Sequence, residues 1–168
     1  HSIIRVFFTH VFKYSVFSLP YFLFCVSYSL FPMDVHTPAQ RQRNMQAIKG
    51  RDTVPEMLVR RYLHAHGFRY RLHVKDLPGK PDIVLPKYKT VIFIHGCFWH
   101  GHEGCKYYVV PKTRTEWWLE KIGKNKENDK LAVALLKKAG WKVLVVWECG
   151  LKTGLIEKTL SSLTNKII

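Results

Sequence analysis

The sequence predicts a mixed α/β domain in which helices cover a central sheet. Three observations carry this. Short runs rich in Val, Ile and aromatic residues stand at 68–73, 82–85, 90–94 and 141–147, bounded by turn residues. Apolar residues at helical spacing separate and flank those runs. At 168 residues, 47% of them apolar, the chain has the length of one domain and enough apolar matter to bury a core.

Residues 1–32 do not fit that domain. His1 to Pro32 carries only Arg5 and Lys13 as formal charges, and the 19 residues from Tyr14 to Pro32 carry none. Such a run is long enough to cross a bilayer. It would also serve as a signal-peptide core, though no small-residue cleavage site stands out. The chain does not begin with Met, and at Met33 the composition turns polar and basic. The expectation is that residues 1–32 are translated upstream sequence and that the working domain spans 33–168. A membrane anchor or signal is the alternative.

Within 33–168, Thr37-Pro38 is a helix start, an N-cap followed by Pro at the first helical position. The stretch it opens, Ala39 to Lys49, is basic and poor in apolar residues; it reads as an arm laid along phosphates or as a solvated surface helix. Thr53-Val54-Pro55-Glu56 has the capping-box pattern, and Met57, Leu58, Tyr62 and Leu63 recur at helical spacing until Gly67. Phe68 to His73 alternates as a strand does. Asp76 to Pro81 is a turn. Asp82 to Leu85, a turn at Pro86 to Lys89, and Thr90 to Ile94 predict a hairpin. Thr115 opens a helical stretch whose continuation from Asn128 is amphipathic and stops at Gly140. Trp141 to Trp147 is the last strong strand, and a final helix follows it.

The charge narrows the partners. Lys and Arg number 27 against 12 Asp and Glu, a formal net charge of +15. That balance attracts polyanions, nucleic acid or an anionic membrane surface. A merely basic surface is the bland alternative. Three of the four cysteines lie near histidines or at a strand end, which favours thiolate–metal bonding in a reducing compartment over a disulfide framework.

The chemistry concentrates in two places. Asp82 follows Pro81 at the head of an apolar strand, where rigid backbone would hold a carboxylate within reach of a hard cation such as Mg²⁺. A turn-terminating Asp is the alternative. The neighbouring strand ends Phe93-Ile94-His95, where nucleases of the restriction type carry a carboxylate and a lysine. Histidine must therefore supply the missing chemistry. The second place is His95 to Cys105. Cys97, His102 and Cys105, with Cys149 at the end of the last strand, offer three thiolates and an imidazole, the donor set of a closed structural Zn²⁺ site. Reduced buried cysteines are the alternative. His100 and His95 are then left over, and attack of water on phosphorus needs a cation to stabilise developing charge and a base to take the proton. Asp82 with His100 provides for both. Phe98 and Trp99 can stack on or wedge between bases, or else belong to the core. Of Trp117-Trp118 on a helix, one is expected in the core and one outside.

Several blocks then resemble a known family: Asp34-Val35-His36, Pro78-Gly79-Lys80-Pro81-Asp82, His95 to His102, Thr113 to Trp118, Lys121 to Asn125 and Trp147-Glu148-Cys149. Together they are similar to the very-short-patch (Vsr) DNA mismatch repair endonucleases over about residues 34–152. The resemblance implies a bacterial, cytoplasmic enzyme that recognises the T·G mismatch left when 5-methylcytosine deaminates and nicks the strand 5′ to the thymine. It implies a restriction-endonuclease-like three-layer fold, a central mixed sheet flanked by helices, with a structural zinc site and catalytic Mg²⁺. Position by position, Asp82 resembles the metal-binding aspartate, His100 the general base and His95 a second active-site histidine. Glu56 matches an acidic residue of the first helix near the active site, although its place after Thr53 also allows a plain capping role. The backbone carbonyl of Ile94 stands at a second Mg²⁺ ligand. Cys97, His102, Cys105 and Cys149 match the zinc ligands, and Phe98, Trp99 and Trp118 the intercalating aromatics. Cutting of one strand predicts a monomer on double-stranded DNA, with other mismatch-repair proteins as candidate partners.

Overall fold

The computed structural model describes residues 37–48, 50–72 and 74–168. The expectations for residues 1–32, and Asp34-Val35-His36, lie outside them.

Helix α1 (Pro38–Gln46) begins as the sequence predicts and with a fuller cap. Thr37 Oγ1 accepts from the Gln40 N–H at 3.2 Å, and the Gln40 side chain accepts from the Thr37 N–H at 2.9 Å. Its described side chains are almost all exposed. A link to the rest of the chain runs from Arg41 Nη1 to Thr113 Oγ1, 3.3 Å away. Helix α2 (Val54–Ala65) buries Glu56, Val59, Arg60 and Leu63, one stripe at spacings of three and four. The apolar anchors are thus Val59 and Leu63; Met57 and Leu58 are only half-buried.

The sheet has three strands, β1 (Ile83–Leu85), β2 (Thr90–His95) and β3 (Lys142–Trp147), in that order. β1 and β2 form the expected antiparallel hairpin, with Ile83 opposite Ile92. β2 and β3 run parallel, and His95 pairs with Trp147. Helix α3 (Thr115–Lys138) makes the crossover, one continuous helix of 24 residues. It ends where Gly140 enters the left-handed region and the Trp141 N–H returns to the Leu136 carbonyl at 3.0 Å. Helix α4 (Ile156–Ile167) closes the chain.

Alternate side chains of the sheet go to opposite faces. Ile83, Leu85, Ile92 and Val146 join Val59 and Leu63 of α2 and Leu160, Leu163 and Ile167 of α4 in one core. Val84, Val91 and Phe93 meet Leu136 of α3 in the other. The result is three layers, helices on both faces of a small mixed sheet.

One expected strand is missing. Residues 68–72 contribute only a single bridge, Arg71 to Val84, with backbone bonds of 2.8 and 2.9 Å; His73 lies outside the described residues. The alternation that suggests a strand is satisfied by packing instead. Phe68 is buried against the α2–α4 core, and the Tyr70 hydroxyl donates to the Arg60 carbonyl at 3.2 Å.

The turn before β1 is tightly backed. Gly79 has φ +73, and a Cβ there would lie 2.5 Å from Ala132 Cβ and 3.2 Å from Phe93 Cζ. Neither neighbour can swing away, because one sits on a helix and the other in a strand. Gly79→Ala is therefore expected to destabilise by about 2–3 kcal/mol. In a thermal melt the midpoint should fall by about 5–10 °C.

Candidate active site and metal centre

Asp82, Glu56, His95 and His100 line one cleft of about 300 Å³. Asp82 sits immediately before β1, and its Oδ2 accepts the Ile94 N–H at 2.7 Å. In an antiparallel pair the N–H and C=O of one residue face the same neighbour. The Ile94 carbonyl therefore leaves β2 on the side of Asp82, beyond the last strand pair, Ile83 with Ile92. Burial pushes the Asp82 carboxyl above its usual value; the Ile94 N–H pulls it down in part, and the nearby Glu56 carboxylate pushes it up. Two converging carboxylates and an uncovered carbonyl are hard oxygen donors, the set a small divalent cation prefers.

Glu56 does both things the sequence allows. Its carboxylate accepts from the Thr53 hydroxyl and the Asp52 N–H, each at 3.0 Å, which caps the start of α2. Arg60, one turn on, reaches its Oε2 at 2.9 Å and also pairs with Asp52. Held on three sides, Glu56 keeps its place beside Asp82.

His100 is oriented from α3. Its Nδ1 lies 2.6 Å from Asp129 Oδ2. A carboxylate only accepts, so Nδ1 carries the proton in this pair and Nε2 is the basic nitrogen. His95 stacks on the same ring, centroids 3.8 Å apart and planes 6° from parallel. Burial, with His100 beside it, pushes His95 down to about 4, so it is a neutral ring at physiological pH. Asp129 gave no sequence signal: Glu127-Asn128-Asp129-Lys130 reads as any solvated helix face.

Cys97, His102, Cys105 and Cys149 come together, their donor atoms all within 4.8 Å of one another. His102 Nδ1 lies 3.6 Å from Cys97 Sγ and 3.4 Å from Cys149 Sγ. A tetrahedral site with ordinary zinc–sulfur and zinc–nitrogen bonds has S···N edges of about 3.6 Å. The residues fit. All three cysteines are free thiols. Burial pushes Cys97 up to about 12, whereas the Tyr107 N–H draws Cys105 down. Only a cation at its sulfur would make Cys97 a thiolate near neutrality.

The cysteine–histidine cluster and the histidines of the cleft are joined by Trp147, at the end of β3. His102 stacks on it at 4.0 Å and 2°, and its edge meets His95 at 5.3 Å.

Phe98, Trp99 and Trp118 form one aromatic cluster, with centroids 5.2 to 5.9 Å apart. Asn125 of α3 fixes the loop, donating to the Trp99 carbonyl at 2.9 Å. Of the expected division of Trp117 and Trp118, the exposed half holds and the core half does not. Trp117 is 43% exposed, under the Arg114 guanidinium, and Trp118 is half-buried in the aromatic cluster outside both cores. Adjacent helical positions diverge by 100°, but at this first turn of α3 neither direction leads under the sheet.

Among the described residues no helix is long and apolar enough to cross a membrane.

Residues 33–106 match the model of the family described as DNA mismatch endonuclease Vsr. The chain is 48% identical over 134 residues to the DNA mismatch endonuclease Vsr of Escherichia coli, covering 80% of this chain and 85% of that one. It is 54% identical to the type II nicking enzyme V.NmeAIP of Neisseria meningitidis, over 71% of this chain and 84% of the relative. With V.XorIIP of Xanthomonas oryzae, another type II nicking enzyme, identity is 46% over 76% and 93% of the two chains. A matching family model and close identity along most of both chains lead to one conclusion: this chain belongs to the Vsr family of DNA mismatch endonucleases.

Proposed function

We propose that this DNA mismatch endonuclease nicks one strand of a duplex 5′ to the thymine of a T·G mismatch, the lesion left by deamination of 5-methylcytosine. The reading takes Mg²⁺ as the catalytic cation and Zn²⁺ as the structural one. The observation that carries it is the convergence of Asp82, Glu56, His95 and His100 on one cleft, with Asp129 behind His100. The sheet with helices on both faces, Asp82 at its margin, is consistent with a restriction-endonuclease-like fold.

In this mechanism Asp82 and the Ile94 carbonyl would hold Mg²⁺, with Glu56 the further acidic group of the site, and the chemistry of the ion is to stabilise charge on the phosphate oxygens. His100 Nε2 takes the proton from the attacking water. Asp129 accepts from Nδ1, fixing the tautomer and steadying the ring as it becomes charged. Stacked His95, kept neutral by burial, sets the plane of His100 without adding a second positive charge. Cys97, His102, Cys105 and Cys149 would hold Zn²⁺ with no open position, so its role is to shape the loop. Phe98, Trp99 and Trp118 enter the base stack beside the mismatch, at a cost of a few kcal/mol for unstacking. A monomer suffices for one cut. The free thiols suit a reducing cytoplasm, and other mismatch-repair proteins remain candidate partners.

The test is nicking of a T·G duplex, with matched and other mismatched duplexes alongside, with and without Mg²⁺. Cleavage of only the thymine strand, dependent on Mg²⁺, is expected; equal cutting of matched duplex would overturn the assignment. The relatives named as type II nicking enzymes make the flanking sequence the first variable to scan.

Asp129 is a positioning residue in this account. Asp129→Asn should lower kcat about 100-fold with KM nearly unchanged, and Asp129→Glu should recover part of it. Combined with His100→Ala, it should add little further loss. Additive losses in the double variant would show that Asp129 does not act through His100.

A further inference from the structure

Asp82 stands between two clefts. The one already described holds His95, His100 and Asp129. The second is lined by Arg51, Lys75 and Lys80 together with Val74 and Pro81, and Gly50, Glu56, Lys80 and Asp82 belong to both. One flank of the carboxylate therefore carries a base and the other carries cations.

Lys80 sits where the two meet, and its backbone is held there against preference. Its φ is +51, directly after Gly79 at +73. A lysine in the left-handed region costs about 1 kcal/mol or more. The turn is kept by packing and hydrogen bonding on both sides. Gly79 backs onto Ala132 and Phe93, the Lys80 N–H returns to the Leu77 carbonyl at 3.2 Å, and Pro81 is buried. That packing presents Lys80 at the seam of the two clefts.

The cations of this flank are also free to meet a ligand. Lys126 pairs with Glu103, Lys152 with Glu148, and Arg60 with Glu56 and Asp52. Among the described residues, Arg51, Lys75 and Lys80 take part in no ion pair, and all three are exposed. The sequence lacks the lysine that restriction-type nucleases carry on their second strand; Lys80, in the turn before the first, is the cation that lines both clefts with Asp82.

We propose that Arg51, Lys75 and Lys80 form a phosphate subsite that grips the DNA backbone beside the scissile phosphodiester, on the leaving-group flank of Asp82. The proposal rests on Asp82 and His100 as the nicking centre. In an in-line displacement the attacking and departing oxygens occupy opposite faces of phosphorus. The water oxygen forms its bond to phosphorus on the His100 flank, giving its proton to Nε2. The bond to the departing sugar oxygen breaks on the other flank, and that oxygen takes a proton from solvent. The cations stand where the departing strand continues, and Lys80, shared by both clefts, also reaches the scissile phosphate.

The experiment uses the full chain, parent and variants, with T·G duplexes in KCl without divalent metal. In some duplexes single phosphates next to the cut are replaced by neutral methylphosphonate. Removing one cation that neutralises a phosphate should lower the slope of log K against log salt by about 1, so the triple variant R51Q/K75Q/K80Q should lose about 2–3. One methylphosphonate should weaken the parent about tenfold at low salt and leave the triple variant unaffected. With Mg²⁺ added, K80Q should nick about 10- to 100-fold more slowly and K80R should recover most of that. An unchanged salt slope, or a methylphosphonate penalty that persists in the triple variant, overturns the subsite. A parent that shows the slope and the penalty yet never nicks sustains the subsite and removes the catalytic reading instead. All three side chains are exposed, and matched melting temperatures will show that the variants fold.

Discussion

Asp82→Ala is expected to abolish Mg²⁺-dependent nicking, lowering kcat by about 10³-fold or more, about 4 kcal/mol of transition-state stabilisation. The size follows from the position of the residue. Asp82 is fixed by the 2.7 Å bond from the Ile94 N–H, and Glu56, its nearest carboxylate, is already committed to Arg60, Thr53 and Asp52. No other acidic group can move in to replace it. Binding of the T·G duplex in the absence of metal should stay within about threefold of the parent, because the proposed mechanism loses a metal ligand and the DNA loses no cation. Single-turnover nicking and a gel-shift titration measure the two quantities separately. Nicking at the parent rate by Asp82→Ala would remove Asp82 from the chemistry.

Loss of the thiolate cluster should have the second largest effect, and of another kind. The purified chain should contain about one zinc. Cys97→Ala should lose it, melt more than about 10 °C lower and become sensitive to protease between residues 96 and 111. Cys97 is 1% exposed, and His102 Nδ1 lies close both to Cys97 Sγ of its own loop and to Cys149 Sγ, which the end of the last strand brings in from far along the chain. Without a cation the loop would place three thiols and an imidazole together with little to hold them. Nicking should be lost together with the metal although Asp82 is untouched. Metal analysis and calorimetry decide this; a metal-free chain with an unchanged melt would show that the cluster holds no structural ion.

The legible part of the fold was the part set by local pattern. The hairpin of β1 and β2, the capped start of α1 and the glycine end of α3 each follow from residues adjacent in sequence. The pairing of β2 with β3 depends on a 24-residue crossover and leaves no such mark. Phe68 to Leu72 misled because alternation records which side chains are buried, not which backbone groups are paired. The site divides in the same way. Its cysteines and histidines announce themselves by residue type and density. Asp129 is an ordinary charged residue until the fold brings it to His100.

The stack of rings from His102 through Trp147 to His95 and His100 implies that the loop has few independent ways to open. A fluctuation that frees His102 unseats Trp147, and with it the face on which the base rests. Hydrogen exchange should then report the amides of 97–105 and those near the end of β3 as one cooperative unit, opening together below the free energy of global unfolding. Partial opening of this kind would leave a protein that is still folded and still able to hold DNA, yet has withdrawn its base. A DNA endonuclease thus carries its proposed base in a region that can open while the rest of the fold stays closed.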